Sequence, residues 1–406
     1  MVMNTGKYGL PLEVCYCKSC TISNQRPSST VEFKNNNKSK SSIFFSDDGV
    51  CAACKYAEKK KKIDWSMRNA ELKDLCNKFR RSDGRYDVVI PGSGGKDSVQ
   101  AAHILKYEFN MNPILVTWPP AIYTKIGLQN FNAWLSGGFA NYTYNQNKKL
   151  HKLLTREAFV NLGHPFQPFI LGQKNLAPKM SILFDIPLVI YGENEAEYGN
   201  AIEENEKPTR NIRYFSSEDS IEDLVLGGIP AIELIKKYKF HLSDLEAYFP
   251  VNPYEIERTG TEVHYLGYYK KWHPQETYYY SVENSDFEPN FQRTEGSYSK
   301  YSSLDDKIDW LHYHTTYAKF GIGRATYDSA QEIRNGDLTR DEGISLVKRF
   351  DGEFPEEYIL DCCDYMGISI DKYHEVIDQI RSPHLWEKRF GKWELKKPIW
   401  EENNGG

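Results

Sequence analysis

The 406-residue chain has no apolar run approaching the roughly 18 residues that a membrane-crossing helix needs. Its opening, MVMNTGKYGLPLE, has no apolar stretch of the secretory kind, so a cytoplasmic setting without membrane insertion is expected. A basic surplus is missing too. The 51 Lys and Arg are outnumbered by 56 Asp and Glu, and a formal charge of −5 argues against a general nucleic-acid coat. There is no internal repeat, and low complexity is confined to one polar loop, NNNKSKSS (35–42). Rings are what the chain has in quantity, with 28 Tyr, 20 Phe and 8 Trp. A 40% hydrophobic and 26% charged composition is that of a soluble globular protein. At roughly 100–200 residues per domain, the length allows two or three domains.

Three zones are legible. Residues 1–82 hold six of the eight cysteines, the polar loop and a lysine run, Lys59 to Lys62, and close on a helix over about 65–80. They read as loops pinned by something other than a large core. Residues 83–240 open on a strand, Tyr86 to Ile90, that runs into a Gly/Ser turn and a helix from Asp97 to about Phe109. Further strands are expected at 113–118 and 186–191, and strands alternating with helices imply an α/β fold with a doubly wound parallel sheet. Residues 241–406 change character. Aromatic-dense loops over 265–301 precede helical stretches at about 303–318, 326–334, 339–350, 355–366 and 371–381. This zone is read as an aromatic-rich substrate region followed by a mainly helical C-terminal domain.

The sharpest chemical signal is Ser93-Gly94-Gly95-Lys96-Asp97-Ser98, directly after a strand and opening a helix. Glycines let backbone N–H groups approach an anion, and a helix start adds partial positive charge. Two hydroxyls and one ammonium complete a phosphate cradle. The spacing is not that of the Walker loop, since the lysine comes early and an aspartate follows it. The alternative is a plain helix start capped by Asp97 or Ser93.

Cys17-x-x-Cys20 and Cys51-x-x-Cys54 form two knuckle-type pairs. In a reducing compartment such pairs point to a structural four-sulfur Zn²⁺ site rather than to disulfides. Cysteines buried as small hydrophobes and an iron–sulfur cluster are the alternatives, and Cys15 is a competing ligand. Cys362 and Cys363, inside a helical stretch, read as core.

After the strand at 186–191 comes Gly192-Glu193-Asn194-Glu195-Ala196-Glu197. Asn194 with Glu197 fits a helix-capping box, while Glu193, Asn194 and Glu197 also stand at a carboxyl-terminal strand edge, where ligands bind in such sheets. The stretch from Tyr265 to Tyr280 is ring-rich yet polar. It reads either as a sugar-facing wall or as a structural aromatic cluster. Arg324, between flexible residues, is either an anion clamp or a surface ion pair.

The phosphate loop resembles the SGGxDS loop of the N-type ATP pyrophosphatases, the PP-loop superfamily. The chain as a whole resembles the N-acetyl sugar amidotransferases of bacterial surface-glycan (lipopolysaccharide and nonulosonic-acid) biosynthesis. The likeness rests on the cysteine quartet, PGSGGKDS (91–98), LVTWPP (115–120), PFILGQKN (168–175) and IPLVIYGENEAEYG (186–199). It continues through WHPQETYYY (272–280), KYSSLDDKID (300–309) and KFGIGRAT (319–326), with His273 standing where the family pattern leads one to expect an acidic residue. The resemblance implies a zinc-binding module (1–82), an ATP pyrophosphatase domain (83–240) and a substrate and helical region (241–406). It also implies conversion of a sugar acetamido group into an acetamidino group through an adenylated imidate.

In this picture Ser93, Gly94, Gly95, Lys96, Asp97, Ser98 and Thr117 hold ATP with Mg²⁺. Asn194, Lys174, Tyr278, Tyr301 and Arg324 hold the N-acetylated sugar, which is free, nucleotide-activated or lipid-linked. Lys96, Asp97, Glu193 and Glu197 serve catalysis, and Cys17, Cys20, Cys51 and Cys54 hold zinc. A glutaminase needs its own cysteine nucleophile. Position 2 is Val2, and Cys362-Cys363 has no glycine elbow, so a separate glutaminase partner is expected to supply ammonia. Two other readings stay open. One is a tRNA-modifying enzyme of the same ATP class gripping RNA through Lys59–Lys62, against which the net acidity counts. The other is a zinc-stapled nucleotide sensor, which would bind ATP without releasing AMP.

Overall fold

The structure is a computed structural model that describes residues 5–28, 32–35, 40–200 and 206–405. Val2 and residues 36–39 of the polar loop lie outside the described residues. Five parallel strands build the central sheet: β1 (Val88–Pro91), β2 (Pro113–Thr117), β3 (Ala140–Thr143), β4 (Leu188–Tyr191) and β5 (Glu262–Tyr265). Their spatial order is β3-β2-β1-β4-β5, with Val89 opposite both Ile114 and Val189. The chain therefore runs outward through β2 and β3, then crosses back to place β4 on the other side of β1. That reversal leaves a crevice at the carboxyl ends of β1 and β4.

Alternation along the strands feeds two cores. Val89, Ile114, Val116, Val189 and Val263 face one layer, with helices Lys148–Leu162 and Gln167–Phe184 supplying Leu150, Leu154 and Leu176. Val88, Ile90, Leu115, Leu188 and Ile190 face the other, against Leu72, Cys76, Val99 and Trp134 from helices Trp65–Phe79, Lys96–His103 and Lys125–Ser136. Both sheet faces are covered, as an all-parallel sheet requires. The helix expected from Asp97 runs as Lys96–His103 and widens into a π-turn segment, Ile104–Glu108.

The sheet takes its fifth strand from beyond residue 240. Past it, helices Lys307–Phe320, Ile359–Met366 and Ile370–Ile380 pack around Cys362, Cys363 and Tyr373, and dock on Phe159 of helix Lys148–Leu162. Helix Arg324–Asn335 instead meets the N-terminal cysteine module through Ala330 and Ile333, with the neighbouring Ile322 completing the contact. No helix among the described residues is long and apolar enough to cross a membrane.

Candidate active site

The turn after β1 is shaped by its glycines. Gly94 has φ +90°, and a Cβ there would sit 2.8 Å from the Asn130 carbonyl oxygen. Gly95 faces open space and caps helix Lys96–His103. Helix-start N–H groups thus open onto a pocket of about 160 Å³ lined by Ser93, Gly94, Gly95, Lys96, Asp97 and Asp305, among others. Ser93 Oγ donates to Asp305 Oδ2 at 2.6 Å. Burial raises the Asp305 carboxyl, partly offset by that bond.

The turn after β4 meets this loop. A Cβ on Gly192 would lie 2.6 Å from the Asp97 carbonyl oxygen, so glycine permits the two turns to touch. Glu193 is thereby placed beside Lys96 and Asp97, and it lines the loop pocket with them. Burial, then the neighbouring Asp97 carboxylate, pushes the Glu193 carboxyl up to about 8. Burial also opposes ionisation of Asp97. The Lys96 ammonium and hydrogen bonds from Glu193, Lys96 and Trp272 nevertheless hold it below the usual carboxylate range. Lys96 Nζ lies 2.6 Å from Asp97 Oδ2, Trp272 Nε1 donates to Asp97 Oδ1 at 2.7 Å, and the Tyr198 hydroxyl donates to Glu193. One carboxyl is held protonated and its neighbour ionised, a division that specific burial and one adjacent cation can produce.

The loop pocket runs into a larger chamber of about 550 Å³, which shares Lys96, Glu193, Tyr301, Asp305 and Arg324 with it. The chamber walls combine phenols, carboxyls and the guanidinium groups of Arg26 and Arg324 with apolar faces from Phe166, Phe169 and Phe320. Arg324 Nε lies 3.0 Å from Asp328 Oδ1 and its guanidinium bonds the Tyr313 hydroxyl. Glu332 accepts from Tyr298 at 2.7 Å and Tyr301 at 3.3 Å. Asp309, beside Arg324, is pushed up to about 6 by burial. Such a mixed wall suits a ligand that carries hydroxyl and amide groups on an apolar frame.

Of the residues singled out from sequence, Ser93, Gly94, Gly95, Lys96, Asp97, Glu193, Tyr301 and Arg324 converge on these two cavities. The others stand elsewhere. Ser98 turns back to donate to the Gly95 carbonyl at 2.9 Å, and Thr117 is buried, accepting from Asn141 at 2.8 Å. Asn194 takes the capping role, accepting from the Ala196 N–H at 3.0 Å. Glu197 is in a buried ion pair with Lys60, 2.7 Å apart. The Lys174 ammonium lies 5.3 Å from the Tyr214 ring, and burial followed by nearby Arg210 lowers it to about 8. Tyr278 stacks on Tyr301 at 4.6 Å and reaches the chamber only through that ring.

The ring-rich stretch is largely structural. Tyr265, Tyr268, Tyr269 and Trp272 are buried, and Tyr280 bonds His103 at 2.7 Å. Helix Pro274–Asn284 lies against helix Lys96–His103, with Ser281 donating to the Lys96 carbonyl at 2.9 Å. Of its rings, Tyr280 buttresses helix Lys96–His103 through His103. His273 caps helix Pro274–Asn284, accepting from the Glu276 N–H, and lies 3.3 Å from Asp337.

The four cysteines of the two pairs are buried, with their sulfurs all within 4.8 Å of one another. Cys17–Cys54 and Cys20–Cys51 sulfur separations are 3.9 and 3.8 Å. Tetrahedral zinc with bonds of about 2.3 Å sets sulfurs about 3.8 Å apart, so the group fits Zn²⁺. Backbone N–H groups of Ser19 and Cys51 point at the Cys17 sulfur, and buried Arg334 stands near the other three, offsetting thiolate charge. Cys15 is exposed and outside the cluster.

Sequence reasoning assigned no role to Trp272, Tyr198, Asp305, Asp309, Asp328 or Glu332, which complete the site. The runs WHPQETYYY and KYSSLDDKID contain three of them, but single-residue roles there depend on tertiary packing.

Residues 295–399 match a family model described as the C-terminal domain of WbpG-like lipopolysaccharide-biosynthesis proteins. That segment includes Arg324, Asp328 and Glu332, and the match points to glycan biosynthesis and to an enzyme of that process. An uncharacterised protein of Methanocaldococcus jannaschii is 29% identical over 93 residues, 23% of this chain and 33% of its own length. The match thus spans about a third of that relative.

Proposed function

We propose that this chain is an ATP-dependent, AMP-forming amidotransferase of surface-glycan biosynthesis. It converts a sugar acetamido group into an acetamidino group through an adenylated imidate, with ammonia supplied by a separate glutaminase. The observation that carries the proposal is the meeting of the Ser93–Asp97 loop with Glu193 at the sheet's crossover point. There, one anion-ready pocket adjoins a larger chamber with which it shares Lys96, Glu193, Tyr301, Asp305 and Arg324.

ATP and Mg²⁺ fit the residues present. The glycine cradle with Lys96 suits a polyphosphate, and the ionised Asp97 is the carboxylate placed to hold Mg²⁺. When bound, ATP with Mg²⁺ supplies the adenylyl group that turns a resonance-stabilised amide oxygen into a leaving group. The chain's own residues do the rest. Loop N–H groups and Lys96 neutralise charge that develops on the departing phosphates. Glu193, protonated near neutrality, donates its one proton in a hydrogen bond to the ionised Asp97 and so steadies that carboxylate. In its ionised form Glu193 would accept a proton from the attacking nitrogen. Tyr301, Arg324 and Glu332 orient the sugar.

Incubation with ATP, Mg²⁺, an ammonium salt and N-acetylated sugars is expected to release AMP and give a sugar whose acetamido oxygen is replaced by NH. AMP release only on addition of tRNA would refute the reading.

A further inference from the structure

The lysine run does not behave as a uniform solvated face. Lys59, Lys61 and Lys62 are exposed, whereas Lys60 is 5% exposed. It ends helix Ala52–Lys60, which begins at zinc-site Cys51 and carries Cys54. Its ammonium has three acceptors: Glu197 Oε1 at 2.7 Å, the Trp272 carbonyl at 2.8 Å and Asn335 Oδ1 at 3.3 Å. These match the three protons of an ammonium. Lys60 therefore ties together the cysteine module, the turn after β4, the Trp272 segment and helix Arg324–Asn335.

Trp272 passes this restraint on. Its buried indole donates to Asp97 Oδ1, and its ring centroid is 5.6 Å from Lys96 Nζ. Asp97 Oδ2 is already engaged by Lys96, so the indole N–H fixes the remaining oxygen and with it the carboxylate's rotation. We infer that Trp272 is a positioning residue for Asp97 of the phosphate loop, seated by a strut, Lys60, that the four-cysteine module projects. This inference rests on the ATP reading of the loop. It assigns the zinc module a second task, because the helix that starts at two of its ligands ends on the backbone of the residue that orients Asp97.

The test uses the full chain supplied with ammonium salt and an N-acetylated sugar, read alongside zinc content, thermal midpoint and equilibrium binding of ATP without Mg²⁺. Trp272→Phe keeps a ring and removes the donor. It is expected to keep wild-type zinc and metal-free ATP binding, to lower kcat for AMP release about ten- to hundredfold, and to raise the Mg²⁺ concentration needed for half-maximal rate. Trp272→His restores a ring N–H and should recover part of the loss. The double variant K60M/E197Q removes the strut without leaving a buried charge unpaired and should show the same fall. It carries the test if Trp272→Phe loses zinc or melts early. Wild-type kcat and Mg²⁺ dependence in Trp272→Phe, or in the double variant should that one carry the test, would overturn the inference. Absence of both ATP binding and AMP release in the wild type would instead overturn the ATP reading itself.

Discussion

Replacing Glu193 by glutamine is expected to stabilise the metal-free protein at alkaline pH while abolishing AMP release. Burial and the adjacent Asp97 raise the Glu193 carboxyl from 4.5 to about 8. Between those values the folded protein holds a proton that the unfolded chain has released, so the stability contributed by this group falls as pH rises through that window. The slope is at most about 1.4 kcal/mol per pH unit, giving a ceiling of about 5 kcal/mol. Lys96 and the Asp97 carboxylate share the charge, and about 2 kcal/mol is the realistic size for a coupled buried group. Glutamine has the shape of the protonated acid. Its NH₂ still donates toward Asp97, its carbonyl still accepts from Tyr198, and it does not titrate. In Mg²⁺-free buffer, calorimetry should show equal thermal midpoints near pH 5. By pH 8.5 the variant should lead by a few degrees. A difference independent of pH, or a variant less stable at pH 8.5, would refute the proposed sharing of protons between Glu193 and Asp97.

Removing zinc with a chelator, or by Cys20→Ser, is expected to lower the thermal midpoint and the rate of AMP release together, because Ile22 and Ala53 of the cysteine module pack on Ile322 and Ala330 beside Arg324. Metal analysis with calorimetry checks this. Gly94→Ala forces a Cβ to 2.8 Å from the Asn130 carbonyl oxygen at φ +90°. It should cost roughly 1–3 kcal/mol and weaken ATP binding at least tenfold, measured by denaturant unfolding and equilibrium dialysis. Glu197→Ala strands the Lys60 ammonium, whose side chain is 6% exposed, and should destabilise by about 3–5 kcal/mol in urea unfolding. Pairing it with Lys60→Met should recover most of that loss.

The sheet was legible where strands are buried on both faces. Val88–Ile90, Ile114–Val116 and Leu188–Ile190 form short apolar runs with glycine or proline nearby, and all are found as strands. The two outer strands were not legible. β3, Ala140–Thr143, is an edge with mostly exposed side chains, and β5 reads Glu-Val-His-Tyr, a pattern without a clear period. The Gly-rich turn between β1 and the helix at Lys96 and the grouping of the cysteine quartet were readable because both depend on local spacing. The chamber was not, because Asp309, Asp328 and Glu332 come from helices brought to the loop only by tertiary packing. Lys60 shows the same limit. Within four lysines nothing local marks the one whose helix phase turns it inward. Glu197 shows the reverse, a carboxylate near the right strand end whose side chain is already committed to an internal ion pair.

In the proposed reaction the loop pocket activates a sugar amide with ATP for attack by ammonia. The most direct measurement incubates the protein with ATP, Mg²⁺, ¹⁵N-ammonium and N-acetylated sugars, following nucleotides by chromatography and the sugar by mass spectrometry. AMP and pyrophosphate are expected in step with a sugar that has lost its acetamido oxygen and gained one ¹⁵N. ADP with phosphate, or AMP without nitrogen in the sugar, would contradict the proposed reaction.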